Sequence, residues 1–157
     1  MSPACPKPKT QTVTALKKDM HFIHSWYVRL HKSENGYQTC YTCGKRVTVK
    51  EIQCGHYHSR KNNVITYDRR NTKPQCQDCN LWKKGNLHEY ARKLVQEYGK
   101  NILEELNELK GQTVQWKAAE LIAMIETNKD HVRRELHLHP DTSVSARLVK
   151  FIKEAVR

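Results

Sequence analysis

Four cysteines fall in two C-x-x-C pairs, Cys40 with Cys43 and Cys76 with Cys79. Between them, residues 54–60 read CGHYHSR. Thiolates at this spacing are the donor set of a tetrahedral Zn²⁺: one short turn brings both sulphurs of a pair to the ion, and the second pair closes the tetrahedron. Such an ion ties distant segments together without doing chemistry. His56 and His58 offer something else, since an imidazole is neutral near pH 7 and can take a proton or bind a metal. With Arg60 two residues on, they are either ligands of a structural metal or groups that do chemistry on something the arginines hold.

Composition points to a polyanionic partner. The chain has 157 residues, enough for one domain with appended helices, and 28 Lys and Arg against 16 Asp and Glu give a net charge of +12. Residues 41–100, which hold three of the four paired cysteines, carry 13 basic against 5 acidic side chains. Even if four zinc-bound thiolates subtract about two charges, that stretch stays positive. A polyanion is implied, either nucleic acid or an anionic membrane surface. No apolar run of about 18 residues and no signal peptide occur, so membrane insertion is not expected and the chain reads as soluble and intracellular. Without an export signal, the six cysteines read as a metal site plus spare thiols, Cys5 and Cys54, and not as three disulfides.

The elements that must position these groups are mostly helical. Residues 1–13 hold three prolines and no apolar period, and read as a disordered basic arm. Leu16, Met20, Ile23, Tyr27 and Leu30 recur at helical spacing, which predicts an amphipathic helix over 14–31, broken by Asn35-Gly36. The first C-x-x-C leads into a β-prone stretch from Val47 to Ile52, which resembles a zinc knuckle feeding a hairpin that carries the histidines, with Cys54 buried on it. Helix-compatible residues follow Cys79. Leu87, Tyr90, Leu94 and Tyr98 form one stripe ended by Gly99, and Ile102, Leu103, Leu106 and Leu109 another ended by Gly111. Thr113 could cap a longer helix with Val114, Ala118, Leu121, Ile122 and Ile125 inward, and Pro140 precedes a last helix with Val144, Leu148, Ile152 and Val156. The HLH run at 137–139 has no partner cysteines and reads as surface.

A histidine-bearing hairpin followed by a helix that starts at a second C-x-x-C is what a ββα-metal, or HNH, nuclease requires, and Asn80 directly follows Cys79. The stretches CGHYHSR, RRNTKPQCQDCN and KKGNLHEYARKLVQEYG resemble those of the phage NinG/Rap recombination endonuclease family. The similarity runs from the helix near Met20 to about residue 130. The C-x-x-C-N ending is also similar to that of phage T4 endonuclease VII, a zinc-stapled junction resolvase. The resemblance implies an α+β, mostly helical fold, a zinc-stapled ββα-metal core over residues 14–130 flanked by amphipathic helices; the helical tail over 131–157 lies outside it and is read from its own apolar spacing. It further implies an endonuclease for branched DNA such as Holliday junctions and D-loops, working in the host cytoplasm beside other phage recombination proteins.

Carried over residue by residue, His56 would be the general base, Asn71 would pin the loop to the helix start, and Asn80 would ligate a catalytic Mg²⁺ or Mn²⁺. One departure matters: many HNH sites have Asp directly before the first histidine, and this chain has Gly55. Gln53 offers no acid either, so Glu51, Asp68 and His58 are the available substitutes. His58 is preferred, because positions i and i+2 of a strand share a face, although a plain phosphate contact is an equal alternative. Loss of the carboxylate keeps open a zinc-ribbon module that binds DNA without cutting it; within the enzyme class, a restriction or homing HNH nuclease is the competitor. Arg60, Lys61, Arg69, Arg70, Lys73, Lys83 and Lys84 flank the site as expected phosphate contacts. Trp82 or Tyr57 could stack on an unpaired base, but packing is the preferred reading for each. Matched cuts across a four-way junction need two sites, and the helical stripes exceed what a small zinc core must cover, so a homodimer is expected.

Overall fold

The computed structural model describes residues 11–61 and 64–156. The expected arm at 1–13, with Cys5, lies almost wholly outside the described residues. Five α-helices and two small antiparallel sheets make an α+β fold that is about half helical. Helix α1 spans Val13–Leu30 and begins where Thr12 Oγ1 accepts a bond from the amide of Ala15 at 3.2 Å. Its predicted stripe is buried in full: Leu16, Met20, Ile23, Tyr27 and Leu30 all lie in one core. Asn35 and Gly36 then take φ of 50° and 75°, the left-handed turn that reverses the chain into β1.

Strand β1 (Tyr37–Thr39) pairs with β2 (Arg46–Thr48), and the first cysteine knuckle lies between them. The Val47–Ile52 stretch is not one strand. Glu51 accepts bonds from both the amide and the hydroxyl of Thr48, and Ile52 donates to the Thr48 carbonyl, which folds residues 48–52 into a turn. Strand β3 (Gln53–His56) therefore pairs elsewhere, with β4 (Thr72–Gln75), in a register that sets Gln53 against Gln75 and His56 against Thr72. The histidine strand and the strand leading into the second C-x-x-C are thus neighbours in one sheet.

After β4 the chain makes a single π-helical turn over Asp78–Trp82 instead of the continuous helix expected there. Lys84, Gly85 and Asn86 have φ of 48°, 88° and 46°; three left-handed residues in a row stop any helix. Helix α2 (Leu87–Tyr98) ends at Gly99, whose φ of 96° suits glycine alone, and α3 (Ile102–Lys110) follows. Tyr90, Leu94, Ile102 and Leu106 close over Ile65 as a small second core. Helix α4 spans Ala118–Leu138, with Glu120 accepting from the Lys117 amide at 2.8 Å, so Thr113 is not its cap. Residue 130, drawn as a boundary, lies inside this helix.

Helix α5 (Ala146–Lys153) is capped by Ser145. Leu148 and Ile152 pack with Leu121, Ile125 and Val132 of α4 against α1. The apolar stripe of α1, credited above to pairing between chains, is covered by the chain's own α4 and α5. No helix among the described residues is long and apolar enough to cross a membrane.

Candidate functional site

The knuckle between β1 and β2 carries Cys40 and Cys43, and the turn after β4 carries Cys76 and Cys79. Their four sulphurs lie within 4.8 Å of one another, and the Cys43 and Cys76 sulphurs are 3.7 Å apart. Zn–S bonds of about 2.3 Å in a tetrahedron set sulphurs roughly 3.8 Å apart, so the cluster fits Zn²⁺. Ile52 and Val47 cover it on the apolar side, and the Asn86 amide points at the Cys79 sulphur at 3.7 Å. The four cysteines can hold one zinc ion that ties the first sheet to the second.

On the other flank of β3, His56 faces α1. It lines a cleft of about 220 Å³ with His21, His24, Arg29, Cys54 and Arg60. Burial and the charge of Arg60 hold His56 down to about 4, although contacts with the backbone of Thr66 and Cys54 oppose the shift. Burial and the neighbouring His56 hold His24 at about 4 as well, and burial lowers His21. All three imidazoles are therefore neutral at physiological pH. Burial disfavours the charge on Arg29, whose Nε has no hydrogen-bond partner. The cleft presents two guanidinium groups and no carboxylate, which is a setting for an anion. His21, His24 and Arg29 were missed in the sequence; their signal was a polar flank at helical spacing beside the apolar stripe of α1.

These histidines make stability depend on acid. All three folded pKa values lie below the ordinary 6.5, and for His24 and His56 the unfolded chain binds protons below pH 6.5 that the folded chain refuses until about pH 4. Stability is full above that window and falls as pH drops through it, by about 1.4 kcal/mol per pH unit per excluded proton. His24 alone should remove roughly 3 kcal/mol by pH 4. Melting temperature measured from pH 7 to 4 should fall, and fall less in His24→Gln. A melting temperature indifferent to pH in this range would contradict the assignment.

Asn71 is wholly buried and structural. Its Oδ1 accepts from the His58 amide at 2.7 Å, and its Nδ2 donates to the carbonyls of His58 and Ile65 at 3.1 Å. It pins the loop after β3 to β4; the link to α2 comes from Tyr90, whose hydroxyl donates to the Asn71 carbonyl at 3.2 Å. Asn80 donates to Gln53 Oε1 at 2.7 Å, so Gln53 is common to the Asn80 contact and the edge of the His56 cleft. His58 does not stand beside His56. The strand ends at His56, and the His58 ring lies against Tyr57, with burial and then Lys110 of α3 lowering its pKa. The shared-face argument fails because it required two more strand residues, Tyr57 and His58.

Gly55 has a structural explanation. A Cβ there would stand 2.0 Å from Gln75 Oε1, and Gln75 is buried, donating to Thr42 Oγ1 and the Gly85 carbonyl. Gly55→Asp should therefore cost about 2 kcal/mol or more through overpacking and lost hydrogen bonds, and should not restore a metal ligand. A melting temperature equal to that of the unaltered chain would refute this. The other acids are committed elsewhere, Glu51 to Thr48 and Asp68 to Arg70. Among the described residues the only cluster of three or more metal-ligating side chains is the cysteine set. The residues at the cleft do not fit a protein-built Mg²⁺ or Mn²⁺ site, which needs hard oxygen donors with charge.

The expected phosphate contacts are dispersed. Arg60 lines the cleft. Arg69 and Lys73 line a separate groove with Lys93, over the rings of Tyr27 and Tyr41, and Lys73 is also paired with Glu97. Arg70 is tied to Asp68 and Glu105. Lys61, Lys83 and Lys84 are exposed.

Fold and site together define an α+β protein stapled by a four-cysteine centre beside a histidine-lined cationic cleft. Residues 6–137 match the family model described as Bacteriophage Lambda NinG protein, and the chain belongs to the NinG family. That membership points to a role connected with phage recombination. No curated protein and no solved structure matches the chain.

Proposed function

We propose that this chain is a structure-specific endonuclease that hydrolyses phosphodiesters in branched recombination intermediates, Holliday junctions and D-loops among them. The observation that carries the reading is His56, a neutral imidazole at the end of β3 that faces α1 in a cleft with two arginines. A backbone phosphate entering the cleft is held by Arg29 and Arg60, and its negative charge raises the basicity that Arg60 suppresses in His56. His56 then takes a proton from a water that attacks phosphorus. The bond to the 3′-oxygen breaks, and that oxygen takes a proton from solvent. Asn71 keeps the loop behind His56 in place, and Asn80 holds Gln53 at the rim. Since the cleft lacks the donors of a hard-cation site, no step here is assigned to a metal ion.

The missing carboxylate favours one second reading, a zinc-stapled module that binds branched DNA without cutting it. Both readings are separated by incubating the purified chain with labelled four-way junction, D-loop, flap and linear duplex, in Mg²⁺, in Mn²⁺ and in chelator. Cleavage confined to branched substrates supports the endonuclease; binding without cleavage in every condition supports the module; cutting of linear duplex at fixed sequences would replace both. Resolution of a four-way junction by paired nicks needs two sites, which a two-fold pair of chains on the junction supplies. Sedimentation of that complex should show two chains.

A further inference from the structure

The turn that follows Asn80 carries the most exposed large apolar side chain described. Trp82 is 77% exposed and Leu81 53%, so the packing expected of Trp82 does not occur, whereas Tyr57 does pack, against Tyr90. Other exposed aromatics are covered by cations, Tyr37 by Arg46 and Tyr98 by Lys73, but the indole of Trp82 has no ring or cation partner among the described residues. Lys83 and Lys84 adjoin it, exposed and without ion pairs among the described residues.

This tip is rigid in its backbone. The amide of Gly85 donates to the carbonyls of Cys79 and Asn80 at 2.9 and 3.1 Å, the amide of Lys83 donates to Asp78, and the buried Gln75 side chain donates to the Gly85 carbonyl at 2.7 Å. A cysteine of the zinc set and a β4 side chain thus anchor a loop whose outer surface is leucine, tryptophan and two lysines. An apolar wedge next to two ammonium groups fits a nucleic acid base and its adjoining phosphates. A second copy of this chain fits poorly, since it would bring two more lysines to the same place. In an uninterrupted duplex each base face is already stacked; a branch leaves faces uncovered.

Resting on the endonuclease reading above, we infer that Trp82 stacks on an unpaired or unstacked base at the branch point while Lys83 and Lys84 hold the adjoining phosphates, and that this contact distinguishes branched DNA from linear duplex. The test measures binding, so that it stands apart from cleavage. In a His56→Ala background, titration of a four-way junction carrying 2-aminopurine at the branch should change the probe's fluorescence, and Trp82→Ala should abolish that change. Trp82→Ala should weaken junction affinity about tenfold or more while leaving linear duplex affinity within about twofold, and Trp82→Phe should keep most of the preference. Equal affinity ratios for junction and duplex in Trp82→Ala and the parent would overturn the inference, as would loss of chain self-association in Trp82→Ala by sedimentation. Because Trp82 lies outside every core, its variants should melt with the parent. Should the chain bind without cutting, the endonuclease reading falls while the Trp82 result stands.

Discussion

Cys76→Ser, or removal of zinc by a strong chelator, is expected to unfold the region around β1 to β4 and abolish binding and cleavage together. The sheets here have strands of three and four residues, too short to persist alone in water. Their apolar cover is small as well: Ile52 and Val47 beside the cysteines themselves. Four thiolates around Zn²⁺ contribute about 10–16 kcal/mol in small zinc domains, which matches or exceeds the whole stability of an ordinary domain, roughly 5–15 kcal/mol. Loss of one ligand should therefore be felt as unfolding and not as a softened site. Elemental analysis should find one zinc per chain, and circular dichroism should show lost structure and a lower melting temperature in Cys76→Ser. Folded, fully active protein without zinc would sink this claim. The α1/α4/α5 core has no cysteine in it, so partial helicity should survive.

His56→Ala is expected to lower cleavage of branched DNA by about 10²-fold or more, with junction affinity nearly unchanged. The separation follows from the charges in the cleft. His56 is neutral and would contribute no cation to phosphate binding, whereas in the proposed reading Arg29 and Arg60 would. Arg29→Ala should do the reverse in part, weakening affinity and reducing its salt dependence by about one phosphate contact. Burial of His24 and His56 beside each other predicts a further mark: His56→Ala removes one source of His24's depression, so acid sensitivity should diminish slightly in the variant. Normal cleavage by His56→Ala would show that another group activates the water.

Much of this molecule was legible in residue spacing. Two C-x-x-C pairs announce the thiolate donors, because a local turn brings both sulphurs of a pair together, although only the fold sets the two pairs side by side. The helix stripes were legible from spacing too: a 3.6-residue period identifies the buried faces of α1 and α3 and the centre of that of α2, Tyr90 and Leu94, whereas the ends of the α2 stripe, Leu87 and Tyr98, are exposed. Gly99 likewise announced a helix end.

What local pattern could not supply was partnership across the chain. The segment at Val47–Ile52 has strand-forming residues, yet Glu51 bonding to Thr48 closes it into a turn, and β3 finds β4 some twenty residues on. His58 looked like a neighbour of His56, but the strand ends two residues before it. Gly55 looked like a lost ligand until Gln75, from the opposite strand, was seen to occupy its space. Three histidines and two arginines from α1, β3 and the loop beyond share one cleft only because α1 packs over the second sheet. By itself, then, the sequence determined the zinc donors and the helical faces, which depend on short-range geometry. Only the tertiary structure decided which polar groups meet and that Trp82 stays bare, because burial and charge at a site are set by residues far apart in the chain.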